Sequence, residues 1–182
     1  MQLAESCQLS FECIELSMPS FLDHAELIEE AKSWYKNSGR VTSVHGCFMD
    51  VNPGSGDEKF RILSMERCRE SCRLAMTLGA RFVVLHASAF PFLRGGYLGV
   101  WADRCAKFYT ELAEEYDLML CIENSFDLDP EPLRVLMEKM NHRFAGRDIE
   151  GIEQVQREMA EDIRSGKPFM AGRLGAVELA NM

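Results

Sequence analysis

The sequence predicts an α/β protein of about four parallel βα units, arranged as a sheet or barrel and followed by a helical tail. Three observations predict it. Four short apolar segments alternate with longer amphipathic ones, and parallel strands need crossover connections of about that length, usually helices. Two of the short segments, "FVVLH" and "LMLCI", are nearly continuously apolar, as strands covered on both faces are. After Met140 the texture turns more polar, which separates a tail from the repeating units.

In chain order, "FECIEL" (11 to 16) reads as a strand and "SFLDHAELIEEAKSWYKNSG" (20 to 39) as a helix capped near Ser20 and closed by Gly39. "RVTSVHG" (40 to 46) is the second strand, and the polar loop "DVNPGSGD" leads to a helix over 58 to 80 that Gly79 ends. "RFVVLHA" (81 to 87) is the third strand; the loop "SAFPFLRGGYLG" and a helix over 100 to 117 follow. "LMLCIEN" (118 to 124) is the fourth strand, and "DPEPLRVLMEKM" (129 to 140) opens a helix on a proline-rich turn, its apolar and Met positions packing into the core. A boundary near 141 to 146 divides residues 1 to 141 from a C-terminal extension, 142 to 182, with a helical stretch over about 149 to 163.

The 182 residues fit one domain of ordinary size, and 47% hydrophobic with 27% charged residues is the composition of a globular protein. A net charge of -9 with a pI near 5.0 disfavours nucleic acid as a partner. No apolar run approaches the ~20 residues that span a bilayer, and "MQLAESCQLSFE" lacks a signal-peptide layout, so a cytoplasmic protein is expected. The seven cysteines form no C-x-x-C pair, which argues against a disulfide framework and a thiolate zinc site. Cys68 and Cys72, one helical turn apart, read as small residues on a half-buried helix face.

Three strands end on a side chain able to hold a metal: "VTSVH" on His45, "FVVLH" on His86 and "LMLCIE" on Glu123. The carboxyl ends of parallel strands open onto one face, so these groups are expected to converge. Two imidazoles and a carboxylate suit zinc, manganese or iron with positions left open for water or substrate. Each histidine alone is more often a hydrogen-bonded structural residue than a ligand; the repetition across strands is what favours the metal. Glu15 in "FECIEL" repeats the placement as a substrate or outer-shell group. Asn124, Asn52 and Asp50 are candidates for hydrogen bonds to a polyol, and Arg94 beside Gly95 and Gly96 hints at phosphate binding. His24 and His142 read as solvated.

"FECIEL", "VHGCFMDVNPGSGD", "SCRLAMTLGARFVVLHAS" and "LMLCIENSFDLDPEPLRVLM" resemble the xylose isomerase-like TIM-barrel superfamily of sugar isomerases, sugar-phosphate isomerase/epimerases and apurinic-site endonucleases. The resemblance covers residues 7 to 140, in the order of the second to fifth barrel strands. It implies a partial (β/α)8 TIM barrel, His45, His86 and Glu123 as ligands to a divalent ion (manganese, zinc, magnesium or cobalt), and Glu123 as catalytic acid/base. Glu15, Asn52, Arg94 and Asn124 are then substrate-binding candidates, and the substrate a small carbohydrate or sugar phosphate.

Such a barrel typically takes about 250 residues, and the family's later strands with their second acid/base carboxylate have no counterpart here. An incomplete, inactive fragment is therefore one expectation, and an oligomerising half barrel, such as a homodimer that covers its open sheet edges, is another. The acidic charge balance counts against the apurinic endonuclease alternative, because an abasic-DNA enzyme needs a cationic face. The tail "SGKPFMAGRLGAVEL" resembles the opening of a bacterial glycosyltransferase-like domain, with Arg173, Gly175 and Glu178 in its motif; a helix and strand covering a sheet edge is the equal alternative.

Overall fold

In a computed structural model, four strands lie in chain order in one parallel sheet: β1 (Phe11–Cys13), β2 (Val41–His45), β3 (Phe82–His86) and β4 (Met119–Glu123). The structure describes residues 10–38, 41–123 and 129–143. The helices are α1 (Pro19–Leu22), α2 (Ala25–Ser38), α3 (Glu58–Leu78), α4 (Gly95–Tyr116) and α5 (Glu131–Arg143). This is the expected set of parallel βα units of a partial barrel. No described helix is long and apolar enough to cross a membrane. The tail helix expected over 149 to 163, the glycosyltransferase-like segment and the domain boundary near 141 to 146 lie outside the described residues or at their limit.

Register decides which side chains share a face. His45 pairs with Val84 and Val84 with Cys121, while His86 pairs with Glu123. Paired residues of a parallel ladder point the same way and residues two apart share a face, so His45, His86 and Glu123 lie on one side. Val44, Val83 and Leu85, on the other side, are essentially inaccessible and belong to the core with Cys68, Cys72 and Ala75 of α3 and Ala102, Cys105 and Tyr109 of α4. Burying a Leu or Val side chain contributes about 1.5–3 kcal/mol. The sheet is thus anchored through the face that carries no chemistry.

The small residues on α3 allow that helix to sit close to the strand ends. A Cβ added to Gly46 would stand 2.6 Å from Leu85 Cδ2 and 3.1 Å from Ser71 Cβ, so only glycine fits after His45. Asp57 caps α3, its carboxylate accepting the Phe60 N–H at 3.0 Å, and Gly79 closes the helix in the left-handed region at φ 71°. Both Cys68 and Cys72 are buried, and burial pushes their thiols up, Cys72 to about 12. They pack as small apolar groups.

Three boundaries differ from expectation. β1 ends at Cys13 rather than 16, because a turn closed by Ser17 N–H on the Ile14 carbonyl (3.0 Å) takes the chain out of the ladder. The helix expected from Ser20 to Gly39 is two pieces. Pro19 occupies its first turn, Met18 provides no side-chain cap, and the first piece stops at Asp23. α4 starts at Gly95, well before residue 100. Glycine costs about 1 kcal/mol in a helix, but Leu98 and Trp101 enter the core and hold the extra turn.

Candidate metal centre

His45 and His86 end β2 and β3, and both are 7% exposed. Glu123 ends β4, its side chain 21% exposed and so less buried than the two imidazoles. The three ligand atoms form a nearly equilateral triangle. His86 Nε2 lies 3.2 Å from His45 Nε2, Glu123 Oε2 lies 3.4 Å from His86 Nε2, and it lies 3.6 Å from His45 Nε2. Donors about 2.0–2.1 Å from a tetrahedral ion stand about 3.4 Å apart, so the triangle fits one face of such a coordination shell. Among the described residues this is the group of His, Cys, Asp and Glu that could hold an ion.

The surroundings set the imidazoles for that task. His45 Nδ1 lies 3.0 Å from the Gly46 carbonyl, an acceptor only, so Nδ1 carries a proton and Nε2 is the atom aimed at the centre. His86 is held below the usual histidine range, first by burial and then by the neighbouring His45, which favours the neutral form that metals bind. Phe48 stacks on His86 with ring centroids 4.9 Å apart and meets His45 edge-on at 5.2 Å, shielding both rings from water. Behind β3, the Tyr109 hydroxyl donates to the His86 carbonyl at 3.1 Å, and Ala87 N–H bonds the Glu123 carbonyl at 2.9 Å.

Two serines on the buried side of α3 fasten the connection that follows β2. Ser71 Oγ accepts the Cys47 N–H at 3.0 Å and Ser64 Oγ accepts the Asn52 N–H at 2.9 Å. Ser88, two residues beyond His86, is held at φ 53°, a left-handed conformation uncommon for serine. Sequence reading missed Gly46, Phe48, Ser64, Ser71 and Tyr109. The one available signal was a glycine directly after a strand-end histidine.

The other described sequence candidates are not among the triangle's donors. Glu15 sits in the turn after β1, where its carboxylate accepts the Tyr35 hydroxyl and, at 3.1 Å, the Ile14 N–H. Asn52 Oδ1 accepts the Gly54 N–H at 3.0 Å and the Trp101 indole N–H at 3.2 Å, bracing the loop on α4. Arg94 donates to the carbonyls of Pro91 and Leu93 and pairs with Asp129 at 3.0 Å, so its charge is balanced across two loops. Asp50 is exposed at φ 53° and His24 is exposed beside Glu26. Asn124 and the His142 side chain lie outside what is described.

Residues 3–146 match the family model described as a xylose isomerase-like TIM barrel. The chain belongs to that family. The chain is similar to an uncharacterized protein of Methanocaldococcus jannaschii, 29% identical over an alignment of 114 residues that covers 57% of this chain and 38% of that protein. Among solved structures it is similar to a Thermus thermophilus protein soaked with ZnCl2 (TM-score 0.60, 22% identity, 76% of this chain and 56% of that one). It is also similar to a D-tagatose 3-epimerase-like protein (TM-score 0.56, 24% identity, 71% and 51%). A xylose isomerase domain protein of Planctomyces limnophilus shares the fold at 14% identity (TM-score 0.55, 77% and 54%). The chain spans about half the length of these solved structures and 38% of the curated relative.

Proposed function

We propose that the chain is part of a metal-dependent sugar or sugar-phosphate isomerase or epimerase. His45, His86 and Glu123 hold one divalent ion, and Glu123 also moves a proton at the carbon beside the substrate carbonyl. The observation that carries this reading is the donor triangle of 3.2, 3.4 and 3.6 Å on one face of three strand ends. A bound divalent ion supplies polarisation of the sugar's carbonyl and hydroxyl oxygens.

The chain's own groups do the rest. The Gly46 carbonyl fixes the His45 ring, Phe48 keeps water off both imidazoles, and the partly exposed Glu123 carboxylate accepts and returns the proton. The zinc soak of the Thermus structure and the epimerase-like neighbour support the choice of metal and of sugar. A phosphate on the substrate would share Arg94 with Asp129. The net charge of -9 weighs against an abasic-DNA substrate. Cys13, Cys47, Cys68, Cys72 and Cys105 are buried free thiols, which suits a reducing cytoplasm.

The test is proton exchange. Metal-loaded protein incubated in deuterated water with ketohexoses, ketopentoses and their phosphates should introduce deuterium beside the carbonyl, read by proton NMR, and Glu123→Gln should stop it. Exchange that persists in Glu123→Gln, or none with any of these sugars in metal-loaded protein, contradicts the reading.

A second reading, a non-catalytic half barrel that forms a homodimer, is favoured by the sheet itself. Among the described residues β1 and β4 each pair on one side only, and exposed edges seek partners. Edge-to-edge pairing of β4 with the β1 of a second copy would close a ring. Sedimentation of a single species at monomer mass would exclude it.

A further inference from the structure

Arg61, in the first turn of α3, and Arg104, in the middle of α4, both donate through Nη1 to one acceptor, the Ser55 carbonyl, at 2.8 and 3.0 Å. Two nitrogens bonded to one oxygen stand within 6 Å of each other, so two like charges are held side by side by two separate helices. Neither guanidinium has a carboxylate within 4.0 Å among the described residues. Arg67, Arg69, Arg73, Arg94 and Arg134 each do. In a chain with 29 acidic and 20 basic residues this pairing of cations is unexpected.

Two of the nearby acids are committed elsewhere. Asp57 caps α3 through the Phe60 N–H, and Asp103, next to Arg104, pairs with Lys139 at 2.7 Å. The carbonyl accepts one N–H from each arginine, and a guanidinium carries about five, so most of the donors remain for another acceptor. Gly56, the next residue, has open space where a side chain would stand, and the amino end of the 21-residue α3 begins two residues further on with its favourable dipole. Arg61, Arg104 and Ser55 are each partly buried, which limits screening by salt.

We propose that Arg61 and Arg104 form a binding site for a phosphate-class oxyanion, separate from the His45, His86 and Glu123 centre. Two planar forks meeting at one point match the several oxygens of a phosphate group. Ser55 leaves the sheet on the same connection as His45, ten residues later, so an anion here stiffens the segment that carries the imidazole. The site takes inorganic phosphate or the phosphate of a sugar ester by the same chemistry.

The test is calorimetric titration of the full chain, stripped of metal with a chelator that is then removed, at low ionic strength. The probes are inorganic phosphate, ribose 5-phosphate and ribose. Saturable binding of phosphate with a dissociation constant at or below about 1 mM is expected, with none for ribose. It should weaken about tenfold or more in Arg61→Gln and in Arg104→Gln and persist in His45→Ala. Tighter binding of the ester than of free phosphate assigns the site to a phosphorylated sugar; equal binding assigns it to free phosphate. Arg61→Lys and Arg104→Lys, which keep the charge and lose the fork, should fall between. Thermal melting of each variant separates loss of the anion from loss of the fold. Absence of saturable phosphate binding, binding unchanged in both glutamine variants, or binding abolished by His45→Ala overturns the proposal. Lower melting in the glutamine variants, with no phosphate binding by the wild type, would make the pair a clamp on Ser55 and nothing more.

Discussion

The ends of β1 and β3 carry the same signal in the sequence and meet different fates in the structure. His86 is the last residue of its strand, paired in register with Glu123 and packed under Phe48. Glu15 lies two residues beyond β1, in a turn, and its carboxylate goes to Tyr35 and the adjacent backbone. A chemistry-bearing residue joins the common face only while the ladder still fixes the direction of its side chain. Register, more than residue type, selects the site.

The strongest way to break that comparison is to remove a ligand from the registered strand ends. His86→Ala should lower zinc affinity by about 100-fold or more, measured against a chromophoric chelator, since even outer-shell changes cost 10–100-fold. A smaller loss would mean that His86 is packing. Gly46→Ala attacks the approach of α3 to the strand end. With Leu85 Cδ2 at 2.6 Å from the new methyl, overpacking of about 1–3 kcal/mol is expected in chemical denaturation, and an unchanged midpoint would show that the helix can move aside.

Tyr109→Phe removes only the hydrogen bond to the His86 carbonyl. A loss of about 1 kcal/mol in denaturation is expected, with metal stoichiometry retained; loss of the metal would show that this bond positions the imidazole. Glu15→Gln should have the least effect, within about 0.5 kcal/mol for an exposed side chain and with metal affinity unchanged. A fall in affinity comparable to that of His86→Ala would erase the distinction between the two strand ends.

Much of the fold was legible because its signals are local. The apolar run of "FVVLH", the glycine at position 79 and the proline-rich entry to α5 each act within a few residues. The candidate site was legible for a related reason: parallel strands present their carboxyl ends together, so three strand-end residues could be placed without coordinates. What escaped depends on tertiary contacts. The early start of α4 rests on Leu98 and Trp101 reaching the core past three glycines. Asn52, read as a sugar-binding polar residue, also braces its loop, its oxygen accepting from Trp101 and Gly54. Arg94, read as a phosphate ligand, has Asp129 beside it as well, a partner the sequence did not announce. No local pattern announces which helix a loop side chain will meet.

The most direct test of the central claim is the metal content of the purified chain after equilibrium dialysis against zinc and then manganese, by mass spectrometry, for the wild type and Glu123→Gln. The expected result is about one ion per chain in the wild type, bound to neutral imidazoles and a carboxylate, and close to none in the variant. A wild type that retains no ion, or a Glu123→Gln protein that retains as much as the wild type, would contradict it.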